Sequence, residues 1–87
     1  MMGFNVNYSK QAKRYLHKLD THVAQRIVDK IETTLTTTPV PHKSKRVQGQ
    51  KRLMFRIRIG NHRVLYEADF VQQAIGIVTI DKRPRVY

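Results

Sequence analysis

The feature that most constrains this chain is a regular alternation of side-chain types between residues 53 and 68, interrupted by a Gly-Asn pair. Alternation with a period of two predicts β-strands, because successive side chains of a strand point to opposite faces of a sheet. Gly60-Asn61 predicts a two-residue hairpin turn of type II′ with a positive φ at Gly60. A two-residue loop fixes the register of the hairpin. The expected cross-strand pairs are Ile59–His62, Arg58–Arg63, Ile57–Val64, Arg56–Leu65 and Phe55–Tyr66.

The two faces of this hairpin differ in chemistry. One face is predicted to belong to a core and carries Leu53, Phe55, Ile57, Ile59, Val64, Tyr66 and Ala68. The opposite face carries Met54 together with Arg56, Arg58 and Arg63. Like charges directly opposite one another destabilise a strand pair. A chain that keeps three guanidiniums on one small patch is therefore predicted to bind an anion there.

The remaining elements are predicted from apolar spacing and from capping residues. Phe4–Tyr8 alternates as a short strand, and Ser9 is the predicted N-cap of a first helix. Asp20-Thr21 starts a second helix, which is expected to end before Pro39. A short edge strand is expected at 45–49, and the nearly continuous apolar run 74–80 suits a covered strand. The order β-α-α-β-β-β-β predicts a single α+β domain over residues 1–87. In this fold two N-terminal helices pack on one face of a small antiparallel-rich sheet, and the arginines lie on the open face.

Charge indicates the class of partner. The chain has 17 Lys and Arg against six Asp and Glu, a formal charge of +11. Eight Lys and Arg and no acid lie between His42 and Arg63. A small domain this basic usually binds a polyanion. Besides the hairpin arginines, the candidate residues for binding the polyanion are Lys43, Lys45, Arg46, Lys51, Arg52 and Arg85.

Several other classes of function are disfavoured by the sequence. The absence of cysteine excludes disulfides, thiolate catalysis and zinc–thiolate sites. The four histidines lack metal-ligand spacing, and the isolated glycines form no phosphate loop, so no cofactor or metal is predicted. No apolar run reaches the ~20 residues of a membrane span, and no signal peptide is recognisable. We expect a cytoplasmic protein that does not contact the membrane.

The whole chain resembles the RelE/ParE toxin superfamily, with the RelE branch the nearest. The resemblance rests on the element order, on Val-Gln-Gly at 47–49, on the hairpin Phe-Arg-Ile-Arg-Ile-Gly-Asn-His-Arg-Val-Leu-Tyr at 55–66, and on a basic tail that ends in tyrosine. It implies the toxin of a type II toxin–antitoxin system. Such toxins enter the ribosomal A site and cleave mRNA without a metal, by attack of a 2′-hydroxyl on its own 3′ phosphate.

The resemblance also implies roles for particular residues. The family's basic residues on the first hairpin strand correspond to Arg56 and Arg58, and its arginine on the second strand corresponds to Arg63. The family's C-terminal arginine corresponds to Arg83 or Arg85, and its base-stacking tyrosine to Tyr87. Arg58 stands where the best-known members have lysine. Since arginine stays protonated, it is a poor general base, and the sequence leaves the base unassigned.

The implied partners are mRNA, the ribosome and an acidic antitoxin that masks the basic face. Two alternatives stay open at this point: a ParE-like inhibitor of DNA gyrase, and a catalytically weak RNA-binding relic of the family. The nuclease hypothesis requires the guanidiniums to share one open face. Arginines on different faces, or arginines paired with internal acids, would count against it.

Overall fold

The computed structural model describes residues 3–41, 44–47, 49 and 52–82. The strands and helices follow in the predicted order. They are β1 (Asn5–Tyr8), α1 (Lys10–Lys18), α2 (Thr21–Leu35), β2 (Lys45–Arg46), β3 (Met54–Ile59), β4 (His62–Asp69) and β5 (Ala74–Lys82). Over the described residues this confirms the predicted succession of elements.

One five-stranded sheet has the strand order β1-β5-β4-β3-β2. The β1–β5 pair is parallel and the other neighbouring pairs are antiparallel. The predicted hairpin register is confirmed, from Ile59 opposite His62 to Phe55 opposite Tyr66. Gly60 has a φ of 61°, which is the left-handed conformation that the first position of a type II′ turn requires.

Helix α1 is attached to the sheet by its own first residues. Ser9 is the predicted N-cap: its Oγ accepts a hydrogen bond from the Ala12 N–H at 3.1 Å and donates one to the Val78 carbonyl at 2.6 Å. Gln11 uses both ends of its amide on Ile80, donating to the carbonyl at 3.3 Å and accepting from the N–H at 3.1 Å. Side chains at the start of α1 thus form hydrogen bonds with the backbone groups of β5 that lie beyond the end of β1.

The core lies between the helix pair and one face of the sheet. Ile31 and Leu35 of α2 are fully buried, as are Tyr66 of β4 and Ile75 of β5. The open side of the sheet is the arginine side, as predicted. The α+β architecture, with two helices on one face of a largely antiparallel sheet, is therefore confirmed.

One predicted core residue at the start of β3 was wrong. Leu53 was assigned to the core but is 40% exposed, whereas Met54 lies on the open face as predicted and is nevertheless buried there. Leu53 precedes the first residue of the strand, so the alternation that assigns its face does not yet apply. Met54 lies between two neighbouring segments of the same chain. It is opposite Glu67 of β4, and its carbonyl accepts a hydrogen bond from the N–H of Val47.

A β-bulge in β5 decides which of its residues face outward. Tyr66 is opposite Ile77 while Leu65 is opposite Thr79, so one extra residue, Val78, is inserted into β5. Ile77 and Ile80 are consequently both buried although they are three residues apart. Beyond the bulge, Thr79 and Asp81 lie on the arginine side of the sheet.

Within the described parts of the chain, neither α1 nor α2 is long and apolar enough to cross a bilayer.

Candidate functional site

We define the arginine face as the open side of β3 and β4 that carries Arg56, Arg58 and Arg63. Arg58 and Arg63 are direct cross-strand partners, and Arg56 lies two residues from Arg58 on the same face. Lys45 of β2 is the cross-strand partner of Arg56 and adds a fourth cation to this side of the sheet. The strand register therefore brings together four of the residues that the sequence predicted to bind RNA or to catalyse its cleavage.

A groove of about 250 Å³ crosses this face. Its described lining consists of Val47, Arg56, Arg63, Leu65, Thr79 and Asp81. Two aliphatic side chains, Val47 and Leu65, lie among two guanidiniums, a hydroxyl and a carboxylate. The guanidinium fork matches the oxygens of a phosphate group, and apolar side chains can contact a sugar or a base.

The main departure from the sequence prediction is an ion pair inside this groove. Arg63 donates from Nε to Oδ1 of Asp81 at 3.1 Å and from Nη2 to Oδ2 at 3.2 Å. The hydrogen bonds from Arg63 to Asp81 raise the pKa of the guanidinium, and the attraction of the two charges acts in the same direction. Both side chains keep solvent access, with 36% of Arg63 and 42% of Asp81 exposed.

The Arg63–Asp81 pair concerns a requirement of the nuclease hypothesis, namely that the arginines are not paired with internal acids. One of the three arginines is bound to an internal acid, which was expected to count against a nuclease. Among the described residues, however, no acid pairs with Arg56 or Arg58, and all three guanidiniums share one face. The pair also uses only one edge of the Arg63 guanidinium.

The other predicted RNA-binding residues are less concentrated. Arg52 pairs with Glu67, with Nη1 at 2.8 Å from Oε1, at the end of β3 away from the hairpin turn. Arg46 is the cross-strand partner of Phe55, and its Cζ atom lies 6.0 Å from the centre of that ring. Arg46 therefore lies on the helix side of the sheet. Lys43, Lys51, Arg83, Arg85 and Tyr87 lie outside the described residues.

The aromatic and imidazole side chains of the hairpin do not belong to the arginine face. Tyr66 is fully buried and its hydroxyl donates to the Pro39 carbonyl at 2.8 Å. His62 lies on the helix side, where its ring contacts Tyr15 edge-on with the ring centres 5.8 Å apart. Burial lowers the pKa of His62, and the charge of Lys82 lowers it further. Neither ring is placed to contact a phosphate on the arginine side.

In the described segments there is no group of three or more His, Asp or Glu side chains that could hold a metal ion.

Asp81 and Thr79 were not predicted from the sequence as members of the site. A signal was present in the spacing of the isoleucines, since Ile77 and Ile80 cannot both face the core of a regular strand. That spacing indicates a bulge, and a bulge between them places Thr79 and Asp81 on the arginine side.

Comparison with known proteins identifies the class. Residues 6–87 match the family model described as ParE toxin of type II toxin-antitoxin system, parDE. The chain therefore belongs to this family of toxins of type II toxin–antitoxin systems. No curated protein matches the chain in sequence.

Solved structures refine this assignment. The structure is similar to that of the toxin–antitoxin complex RelBE2 from Mycobacterium tuberculosis, with a TM-score of 0.81 and 26% identity over 93% of this chain and 99% of that one. It is similar to the archaeal RelE–RelB complex from Pyrococcus horikoshii, with a TM-score of 0.82 and 25% identity over 98% and 100%. The isolated E. coli RelE toxin shares the fold at 14% identity and a TM-score of 0.75, over 95% and 87%. Within the RelE/ParE superfamily, the chain belongs to the RelE branch.

Proposed function

We propose that this toxin is a ribosome-dependent endoribonuclease that cleaves mRNA in the A site. The observation that supports the proposal best is the gathering of Arg56, Arg58 and Arg63 on one open face, two of them in the lining of a groove. The resemblance of the hairpin to the RelE branch supplies the reaction type.

The proposed chemistry asks little of the protein beyond position and charge. The substrate brings its own nucleophile, the ribose 2′-hydroxyl, which attacks the adjacent phosphorus and leaves a 2′,3′-cyclic phosphate and a 5′-hydroxyl. Arg56 and Arg63 bind the phosphate and offset the charge that develops on its oxygens in the transition state. Arg83 or Arg85, which lie outside the described residues, are proposed to stabilise the leaving oxygen, and Tyr87 to stack on a base.

Requirement for the ribosome follows from the same reasoning. In-line attack needs the 2′-oxygen, the phosphorus and the leaving oxygen to be aligned, and the described groove is a shallow concavity on a sheet. A second macromolecule that bends the mRNA at the A site supplies that alignment. The protein then contributes cations to a substrate that is already distorted.

An acidic antitoxin is the proposed regulatory partner. The solved complexes from M. tuberculosis and P. horikoshii each pair a RelE-type toxin with its antitoxin. A chain of charge +11 with an open basic face suits a negatively charged partner. Such binding covers the arginine face and stabilises the toxin by mass action.

The test is an in vitro translation reaction to which the purified toxin is added, with cut sites mapped by primer extension. We expect cuts in A-site codons, and we expect Arg63→Ala to lower the cleavage rate by about 10²–10³-fold through loss of a transition-state donor. Arg26→Ala removes the same charge from the exposed side of α2 and serves as the matched control. Intact mRNA with the wild-type toxin, or full activity of Arg63→Ala, would contradict the proposal.

A second function, inhibition of DNA gyrase, is favoured by one observation, the ParE description of the matching family model. It predicts that the pure protein blocks supercoiling by gyrase and leaves mRNA intact. The relic hypothesis predicts RNA binding without cleavage and without an effect on gyrase. The two assays together separate all three.

A further inference from the structure

The described lining of the groove contains one carboxylate. Asp81 lines the groove together with Arg56 and Arg63, and the other described lining residues are Val47, Leu65 and Thr79. The other acids of the arginine side are engaged elsewhere: Glu67 pairs with Arg52, and Asp69 accepts the N–H groups of two residues in the β4–β5 turn. Among the described lining, Asp81 is the residue that can take up a proton.

The hydrogen bonds of Arg63 leave room for a second anion. Asp81 occupies the edge formed by Nε and one N–H of Nη2. A guanidinium has five N–H donors, and the described residues engage only those two, so Nη1 and the second N–H of Nη2 can bind a phosphate. One guanidinium can thus hold a phosphate and the Asp81 carboxylate side by side, separated only by its own width.

This arrangement fits the geometry of RNA self-cleavage. In a near-attack conformation the 2′-oxygen lies about 3–3.5 Å from the phosphorus. A phosphate bound to the outer edge of Arg63 therefore brings the neighbouring 2′-hydroxyl close to the carboxylate that occupies the other edge. Each carboxylate oxygen has two lone-pair sites, and Arg63 uses one on each oxygen.

We propose that Asp81 is the general base of this toxin, a role that rests on the proposed ribonuclease function. A carboxylate oxygen of Asp81 takes the proton of the 2′-hydroxyl as the bond from the 2′-oxygen to phosphorus forms. The bond from phosphorus to the 5′-oxygen breaks, the 5′-oxygen keeps the electron pair, and it receives a proton from water. Asp81 then returns its proton to solvent.

The proposal accounts for the arginine at position 58. A guanidinium at this position stays protonated and cannot serve as the base. The carboxylate that β5 brings to the opposite side of the groove would supply the missing proton acceptor. Lys45 also lies on the arginine face, but it is absent from the described lining of the groove, and a protonated amine accepts no proton.

A purely structural role makes a different prediction. Asp81 could act only by holding the Arg63 guanidinium in place, in which case its removal would lower the rate equally at every pH. Removal of a general base leaves solvent hydroxide to take the proton, so the residual rate should rise about tenfold per pH unit. Among the described residues, the charged and titratable groups near Asp81 are Arg56 and Arg63 in the groove, the adjacent Lys82 and, on the helix side, Tyr15 and His62.

The experiment is single-turnover cleavage of A-site mRNA on purified ribosomes between pH 6.5 and 8.5. We expect a nearly pH-independent rate for the wild-type toxin. We expect Asp81→Asn to lower the rate about 10²–10⁴-fold at pH 7 and to make the rate increase with pH. Asp81→Glu keeps a carboxylate and should retain a pH-independent rate, which keeps the test valid where the asparagine variant does not fold.

The controls separate this proposal from the function on which it rests. Asp29→Asn removes one negative charge from the exposed side of α2 and should leave rate and pH profile unchanged. Cleavage by Asp81→Asn at the wild-type rate, or a reduced rate with an unchanged pH profile, overturns the base and leaves the nuclease intact. If Lys45→Met strongly lowers the rate and makes the residual rate rise with pH, the general base is Lys45 and the proposal for Asp81 is overturned. Absence of cleavage by the wild-type toxin overturns both.

Discussion

The density of cations on the arginine face predicts a measurable salt dependence of RNA binding. Lys45, Arg56, Arg58 and Arg63 lie together on one side of the sheet. Neutralising phosphates releases counterions, and for single strands the slope of log K against log[salt] is roughly −0.7 per phosphate contact. The four cations should together contribute a slope of about −2.8.

The magnitude can be stated for a practical range of salt. Raising the salt concentration from 50 to 200 mM should weaken the part of the affinity that is due to these cations about 50-fold. Replacing Arg56 by glutamine removes one phosphate contact. The slope should then become shallower by about 0.7.

The assay is fluorescence anisotropy of a short labelled single-stranded RNA whose 2′-hydroxyls are methylated, so that it cannot be cleaved. Titrations at four or five KCl concentrations give the slope for each variant. Arg26→Gln is the matched control, because it removes the same charge from an exposed residue of α2. Its slope should equal that of the wild-type protein.

Equal slopes for Arg56→Gln and Arg26→Gln would refute the reasoning. That result would mean that RNA responds to the overall charge of +11 and not to the arginine face. A slope unchanged in both variants would mean that the cations of this face do not contact phosphate at all.

Three further predictions concern stability. Tyr66→Phe removes the hydrogen bond to Pro39 and should lower the free energy of unfolding by about 1–2 kcal/mol in urea titrations, whereas no change would show that the bond contributes nothing. Burial raises the pKa of Tyr66 above 10, so the unfolded chain loses this proton first. Stability should therefore fall as pH rises above 10, and less steeply in Tyr66→Phe; equal slopes would contradict this. Ser9→Ala should lower the free energy of unfolding by about 1–2 kcal/mol in the same assay, because it removes the N-cap of α1. Arg52→Gln, at an exposed ion pair, should lower it by less than about 0.5 kcal/mol. Similar losses in the two variants would contradict the capping role of Ser9.

Local rules predicted much of the fold because the decisive interactions here are short-range in sequence. A two-residue turn leaves one register for the hairpin, and Ser9 and Asp20 cap their helices through N–H groups only two or three residues away. The face of each side chain follows from strand alternation once the strand has begun. Leu53 shows the limit of that rule, since it stands one residue before β3.

The candidate site was predicted in part. Arg56, Arg58 and Arg63 were found from the sequence because one hairpin contains all three. The position of Arg46 on the helix side depends on the pairing of β2 with β3, which the local sequence does not specify. Asp81 was missed because its partner Arg63 is 18 residues away on another strand and because the bulge at Val78 had not been anticipated.

The sequence by itself determined the order of elements, the hairpin register and the three guanidiniums on one face, since each depends on neighbours along the chain. Only the tertiary structure decided that β5 lies between β1 and β4, and that its bulge turns Asp81 toward Arg63. The physical reason is the two-residue period of a strand. A single inserted residue reverses every side chain beyond it, and whether it is accommodated as a bulge depends on how β5 packs against its neighbours.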